Sequence, residues 1–179
     1  MNVTYHKAST IKELQQIIAL QSENLHANLT EEVRQQQGFV SVSHTLKILQ
    51  EMNKVCPHTI AKSKHKVIGY ALCMHPSFSD DISLLKPMFV EINSLIPKPK
   101  NFMVMGQICI DKEFRGKGVF RNLYKKMKED VLNEYHSIIT EVDSKNLRSL
   151  NAHTSVGFKH LKTYNSLGQD WKLLILRNS

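Results

Sequence analysis

Ile108-Cys109-Ile110-Asp111-Lys112-Glu113-Phe114-Arg115-Gly116-Lys117-Gly118-Val119-Phe120-Arg121-Asn122-Leu123-Tyr124 is the stretch that decides the fold. An apolar, β-prone run enters a basic turn with two glycines, and the turn opens a helix. Val119, Leu123, Met127 and Val131 fall four apart along that helix and give it one apolar face. The first N–H groups of a helix have no partner inside it, and the aligned peptide dipoles make that end positive. Glycines remove side chains that would keep a diphosphate away from those N–H groups. Arg115 and Lys117 add positive charge. The turn therefore has the chemistry of a pyrophosphate grip, with a plain surface turn carrying helix-end glycines as the alternative. The G-x-x-x-x-G-K-[ST] spacing of a nucleoside-triphosphate loop is absent, and Arg121 breaks a G-x-G-x-x-G dinucleotide pattern.

Working outward, Phe102–Ile110 reads as a strand with Gly106 inside it, a residue that often marks a bulge or a close backbone approach. Ser137–Val142 is a second, short β-rich run, and Asn146–Val156 a short helix ended by Gly157. Phe158–Tyr164 and Trp171–Leu176 form a last pair of strands around Asn165-Ser166-Leu167-Gly168. Towards the N-terminus, Asp80–Leu95 has helical spacing with a break expected near Pro87, and Pro97 and Pro99 end it. His58–Lys62 and Val67–Met74 form a hairpin about the turn Ser63-Lys64-His65-Lys66. A helix spans about His44 to Lys54. Thr10-Ile11-Lys12-Glu13 is a capping box for a first helix carrying Ile11, Leu14, Ile17, Ile18 and Leu25. Val3–His6 is an opening strand. The order β-α-α-β-β-α-β-α-β-α-β-β is that of a mixed α/β sheet with helices packed on it.

A chain of 179 residues suits one domain over 1–179. With 41% hydrophobic and 22% charged residues it is able to form a core. No apolar run approaches the ~20 residues of a membrane helix, and Met1–Lys7 lacks a secretory pattern; the chain reads as cytoplasmic. The net charge of +8 favours an anionic partner. Nine Lys/Arg lie between Lys98 and Lys128, with only Asp111 and Glu113 against them as far as Lys126, which favours a local anion site. Cys56, Cys73 and Cys109 make neither a disulfide framework nor a metal pair, and Cys73 and Cys109 read as core residues. The nine histidines include no His-Glu-x-x-His helix signature, so no metal is expected.

Arg115-Gly116-Lys117-Gly118-Val119-Phe120 resembles the Arg/Gln-x-x-Gly-x-Gly/Ala signature of the GNAT superfamily of acetyltransferases, with Phe120 where Gly or Ala is usual. A second match follows in order. Glu141-Val142 ends a strand, Asn146-Leu147-Arg148-Ser149 follows it, and Gly157-Phe158 stands eleven residues after the Asn. The resemblance is close over about 102–164; the first 100 residues match in element order alone.

The resemblance implies a GNAT fold: a mixed sheet of about six or seven strands, the fourth and fifth splayed apart, flanked by about four to five helices. It implies acetyl-CoA as cosubstrate, no metal, and transfer of an acetyl group to a primary amine of a small molecule or protein within a ternary complex. Backbone groups of Ile108, Cys109 and Ile110 would pair with the pantetheine arm and the acetyl carbonyl. Arg115, Gly116, Lys117, Gly118, Val119 and Phe120 would hold the diphosphate. Asn146 and Ser149 would face the pantetheine, with helix capping as the other role for Asn146. Many relatives carry a Tyr acid seven residues after the Asn; here His153 stands there, and an imidazole can donate a proton near neutral pH. The strand 102–110 has no carboxylate for a base, only the amide of Gln107, so Glu141 on the neighbouring strand is the candidate. Tyr70 and His75 are candidates for the acceptor side. The segment 78–100 is expected to cover the acceptor pocket in part or to make a subunit contact, with Met88 and Phe89 in the core. A homodimer is possible, and neither nucleic acid nor membrane is an expected partner. Two other functions remain open: an acyl-CoA-binding regulator without catalysis, and, on charge alone, a nucleic-acid binder, for which 7% aromatic content offers no stacking platform.

Overall fold

The computed structural model describes residues 2–25, 40, 42–96, 101–131 and 134–177. Among these, seven strands form one sheet: β1 (Val3–Lys7), β2 (Thr59–Ser63), β3 (Lys66–Met74), β4 (Phe102–Ile110), β5 (Ser137–Asp143), β6 (Lys159–Ser166) and β7 (Gln169–Arg177). Five α-helices accompany them among the described residues: α1 (Ile11–Glu23), α2 (Leu46–Val55), α3 (Lys86–Leu95), α4 (Val119–Val131) and α5 (Leu147–Ser155). The element order is the one the sequence pattern predicts. Strands run β1-β2-β3-β4-β5-β7-β6 across the sheet. Of the strand pairs, β4–β5 is parallel and the others antiparallel. Helix α4 makes the crossover between the two parallel strands, the connection such a pair requires.

Local chemistry sets the elements. The capping box starts α1: Thr10 Oγ1 accepts from Glu13 N at 3.2 Å, and Glu13 Oε2 accepts from Thr10 N at 3.1 Å. Pro87 does not kink a longer helix. It sits in the first turn of α3, where its missing N–H costs nothing, and a 3-10 turn at Ser83–Leu85 precedes it. Pro97 and Pro99 lie outside the described residues. Leu14, Ile17 and Leu20 of α1 pack with Leu49 of α2 on one face of the sheet, joined there by Met88, Phe89 and Ile92 of α3. Val119, Leu123, Tyr124 and Met127 of α4 pack on the other face, and His153 of α5 stacks edge-on against Tyr124. All three cysteines are free and buried.

Gly69 of β3 lets α4 approach closely. A Cβ there would sit 3.3 Å from Val119 Cγ1 and 3.4 Å from Cys109 O. Gly69→Val is therefore expected to overpack this contact by about 2 kcal/mol and to lower Tm by roughly 4–8 °C in scanning calorimetry.

Candidate active site

The sheet is split where β4 meets β5. Their pairing is limited to Phe102↔Ser137, Met103↔Ile138 and Val104↔Ile139. Beyond these, β4 stays with β3 as far as Ile110, while β5 stays with β7 as far as Asp143. The cause lies in β4 itself. Leu72 faces Gln107 and Cys73 faces Met105, so Gly106 is the extra residue of a bulge. A bulge bends its strand and increases the twist, and here it stands just where the strands part. Asp111 N donates to Ile68 O, so Ile110, opposite Gly69, is in a non-hydrogen-bonded pair and turns its own N–H and C=O towards the gap. Ile108 does the same by alternation. Cys109 lies in the hydrogen-bonded pair with Tyr70, so its backbone belongs to the sheet. Of the three backbone contacts expected on β4, two thus face the gap and one does not.

A cleft of about 540 Å³ occupies the gap and runs out between α4 and α5. Arg115, Gly116, Gly118, Val119 and Phe120 line it, as do Ile108, Cys109, Ile110, Asn146 and Ser149. Gly116 and Gly118 take φ values of +71° and +78°, which explains why glycine stands at both positions. The first helical bond of α4 runs from Asn122 N to Gly118 O at 3.1 Å, leaving the N–H groups of its first turn at the cleft. Lys117 does not line the cleft; its Nζ lies 5.8 Å from the centre of the Phe114 ring. Arg115 is folded inward. Its Nε donates to Ile110 O at 2.9 Å and its Nη2 to Asn24 Oδ1 at 2.5 Å, fastening the loop to β4 and to the end of α1. Burial, with the nearby Arg148 adding to it, lowers the Arg115 pKa from its ordinary value. An anion in the cleft would relieve that repulsion.

Phe120, the departure from the expected small residue, packs edge-on against Tyr124 and His153, each ring 5.1 Å from its own. His153 is 1% exposed. Its Nδ1 lies 2.7 Å from the Ser149 carbonyl, which can only accept, so Nδ1 carries the proton. Its Nε2, 2.8 Å from Tyr124 Oη, is then the acceptor. Burial lowers its pKa to about 4. Both its nitrogens are engaged, so His153 joins α5 to α4, and it also lines a recess beside the cleft. Asn146 caps α5, its Oδ1 accepting from Ser149 N at 3.0 Å, and also lines the cleft; the two roles coexist.

A smaller recess of about 120 Å³ opens on the α3 side of the split and meets the cleft along Val40, Ile108, Asn146 and Ser149. Glu141 lines it, with Asp143, Gln107, Leu85 and Trp171. Burial raises the Glu141 pKa to about 7, against the lowering effect of a hydrogen bond donated by Tyr164 Oη. A carboxyl poised there is ionised or protonated with equal ease near neutral pH. The expected segment 78–100 does contribute a wall through Leu85, while Met88 and Phe89 are core residues.

Tyr70 and His75 stand outside both cavities. Tyr70 is fully buried, and its hydroxyl donates to Gln107 Oε1 at 2.6 Å. His75 follows Met74, which pairs with Val104 at the far end of β4, and its ring faces Tyr135. Sequence reasoning missed Arg148, Ala152 and Ser155 of α5, and Arg121 and Asn122 of α4, all of which line the cleft. Arg148, Ala152 and Ser155 fall at helical spacing, two of them small, so that signal was available. Among the described residues no cluster of His, Cys, Asp and Glu could hold a metal, and no helix is long and apolar enough to cross a membrane.

Residues 19–158 match the family model described as the acetyltransferase (GNAT) family. No curated protein sequence matches the chain. Among solved structures, the NatC complex bound to Gag peptide and CoA contains a chain 18% identical, with 100% of each chain covered and a TM-score of 0.68. A structure from Salmonella typhimurium with its cofactor acetyl-CoA is 14% identical, covering 99% of this chain and 94% of that one, with a TM-score of 0.67. The ribosomal-protein-S18-alanine N-acetyltransferase from Escherichia coli is 12% identical over 98% and 94%, with a TM-score of 0.65.

Proposed function

The chain belongs to the GNAT acetyltransferase family, and from that premise we propose that it binds acetyl-CoA in the split between β4 and β5 and transfers the acetyl group to a primary amine. The observation that carries this reading is the parting of β4 from β5 after Val104 and Ile139, with the open end of α4 at its mouth. Acetyl-CoA supplies the acyl group already activated as a thioester. Amides of the first turn of α4, with Arg115 and Arg148, hold its diphosphate. N–H groups of Ile108 and Ile110 face the thioester carbonyl and stabilise the charge that develops on its oxygen. The recess admits the amine. Glu141 takes a proton from the ammonium, and the freed nitrogen attacks the carbonyl carbon. The carbon–sulfur bond breaks, the second proton of the attacking nitrogen passes through water to the departing sulfur, and an N-acetyl product and CoA with a free thiol remain.

In titration calorimetry, CoA should bind the protein, and Arg115→Gln should weaken that binding about tenfold by removing a charged partner of the cleft. Absence of CoA binding to the unaltered protein would end the reading. One observation keeps a second function in view: His153, at the position of the family's acid, has both nitrogens engaged by Ser149 and Tyr124. A non-catalytic acyl-CoA-binding protein would bind CoA and release no thiol with any amine. A thiol-release assay against an amine panel separates the two.

A further inference from the structure

A buried polar network lies beside the recess and takes no part in the chemistry above. Gln107 of β4 is its centre, 8% exposed. Its Oε1 accepts two hydrogen bonds, from Tyr70 Oη and from Gln21 Nε2, each at 2.6 Å. Its Nε2 donates to Val42 O at 2.9 Å. Gln21, 1% exposed at the end of α1, in turn grips His44. Gln21 Oε1 accepts from His44 N at 2.7 Å, and Gln21 Nε2 lies 2.9 Å from His44 Nδ1. Burial lowers the His44 pKa to about 4, so the ring is neutral and Nδ1 is able to accept. Three elements, α1, β3 and β4, thus converge on the backbone of residues 42–44.

Through Val42 that segment reaches the recess, which Val40 also lines, and Val40 lines the cofactor cleft as well. A further fastening of this wall is the bond from Val40 N to Asn24 O at 3.0 Å. Asn24 also receives Arg115 through its side chain. The last turn of α1 therefore holds the cofactor loop through Asn24 and the recess wall through Gln21.

We propose that Gln107 is a positioning residue: braced by Tyr70 and Gln21, it fixes residues 42–44 as the amine-side wall of the active site. The proposal rests on the reading of the recess as the amine's entrance. The chemistry demands an amide at this position. A side chain with one acceptor oxygen and one donor nitrogen can take the Tyr70 and Gln21 protons and still give one to the Val42 carbonyl. A carboxylate would accept both and then face the Val42 oxygen without a proton. A hydrocarbon would take one bond each from Tyr70 Oη, Gln21 Nε2 and the Val42 carbonyl, leaving Gln21 Nε2 with His44 alone. Buried networks in which every member is satisfied hold a single geometry, and the geometry held here is that of the substrate wall.

The test compares Gln107→Leu, Gln107→Glu and Tyr70→Phe with the unaltered protein. In hydrogen exchange, the His44 amide should exchange about tenfold faster in both Gln107 variants, while CoA, titrated alone, keeps its Kd within about twofold. Tyr70→Phe removes one of the two braces and should give a smaller change of the same sign, which keeps the test available if Gln107→Leu does not fold. A panel of propylamine, spermidine, lysine and tetrapeptides beginning with Ser, Ala or Met supplies the kinetic arm. For whichever of these the unaltered protein acetylates, KM for the amine should rise about tenfold while kcat changes less. Unchanged exchange at His44 in both Gln107 variants, or CoA affinity falling in step with the amine, overturns the proposal. The exchange arm needs no turnover, so it decides the role of Gln107 even if the panel shows no acetylation at all, a result that would count against the transferase reading alone.

Discussion

Glu141→Gln is expected to lower kcat by about 10²–10⁴-fold, the range in which a positioned general base contributes. The substitution keeps the size of the side chain and a group able to accept from Tyr164 Oη, so stability and CoA affinity should change little. Glu141 is at the recess, on the strand that β4 leaves, and burial raises its pKa to about 7. Attack requires the carboxylate form, so kcat/KM with the unaltered protein should climb as pH rises towards about 7 and then level off. Glu141→Gln should remove that limb as well as the rate. Tyr164 donates to the carboxylate and thereby favours its charged form. Tyr164→Phe should then move the limb to higher pH without abolishing activity. Full activity of Glu141→Gln over the whole pH range would assign proton removal to water and leave Glu141 as a structural residue.

The sequence revealed much of the scaffold because its signals are local. The capping box at Thr10 and Glu13, the four-residue spacing in α4, and Gly116 and Gly118 each act within one turn, and each stands where the pattern put it. Even Gly106 was legible as a bulge. What a sequence does not state is which side chain meets which across the sheet. Tyr70 belongs to a strand beside the site, yet its side chain points into the face covered by α1 and ends on Gln107. His75 stands just past the end of that strand, beside the first half of β4 and away from the cleft. His153 occupies the position of a family acid, but whether an imidazole there holds a spare proton depends on Tyr124, which is 29 residues away in the chain. Glu141 was chosen by elimination; its poise depends on Tyr164 and on burial, neither of which has a sequence signature. Strand partners and solvent access are set by the whole fold, and roles that depend on them are not written in the local pattern.

The protein should lose stability steeply between about pH 6.5 and 4. His44, His58 and His153 are buried, and burial lowers each pKa from 6.5 to about 4. In the unfolded chain they take up protons below about 6.5; in the folded protein they resist until about 4. Between those values the unfolded state binds more protons, so stability rises with pH across the window and falls as the solution is acidified. Each site can contribute at most roughly 3 kcal/mol across its full window, against about 5–15 kcal/mol for a whole domain. Glu141 acts with the opposite sign. Its pKa is raised from 4.5 to about 7, so its contribution is complete below 4.5 and is lost as pH rises towards 7. Two histidines' worth of the effect survives that offset. Glu13 then adds to the decline at lower pH: burial pushes its pKa up, but Lys62 and the amides of Ser9 and Thr10 hold it at about 2, so its contribution, complete above 4.5, is lost as pH falls towards 2. Urea unfolding at half-unit steps should therefore show a midpoint dropping steadily from pH 6.5 to 4 at a near-constant m value. His58→Asn should shallow that slope, because His58 accepts from Cys73 N and reaches Leu49 O as a neutral ring, a form it can keep only while no second proton arrives. A stability curve flat across this window would mean that the three rings charge in place, with water reaching groups that the packing encloses.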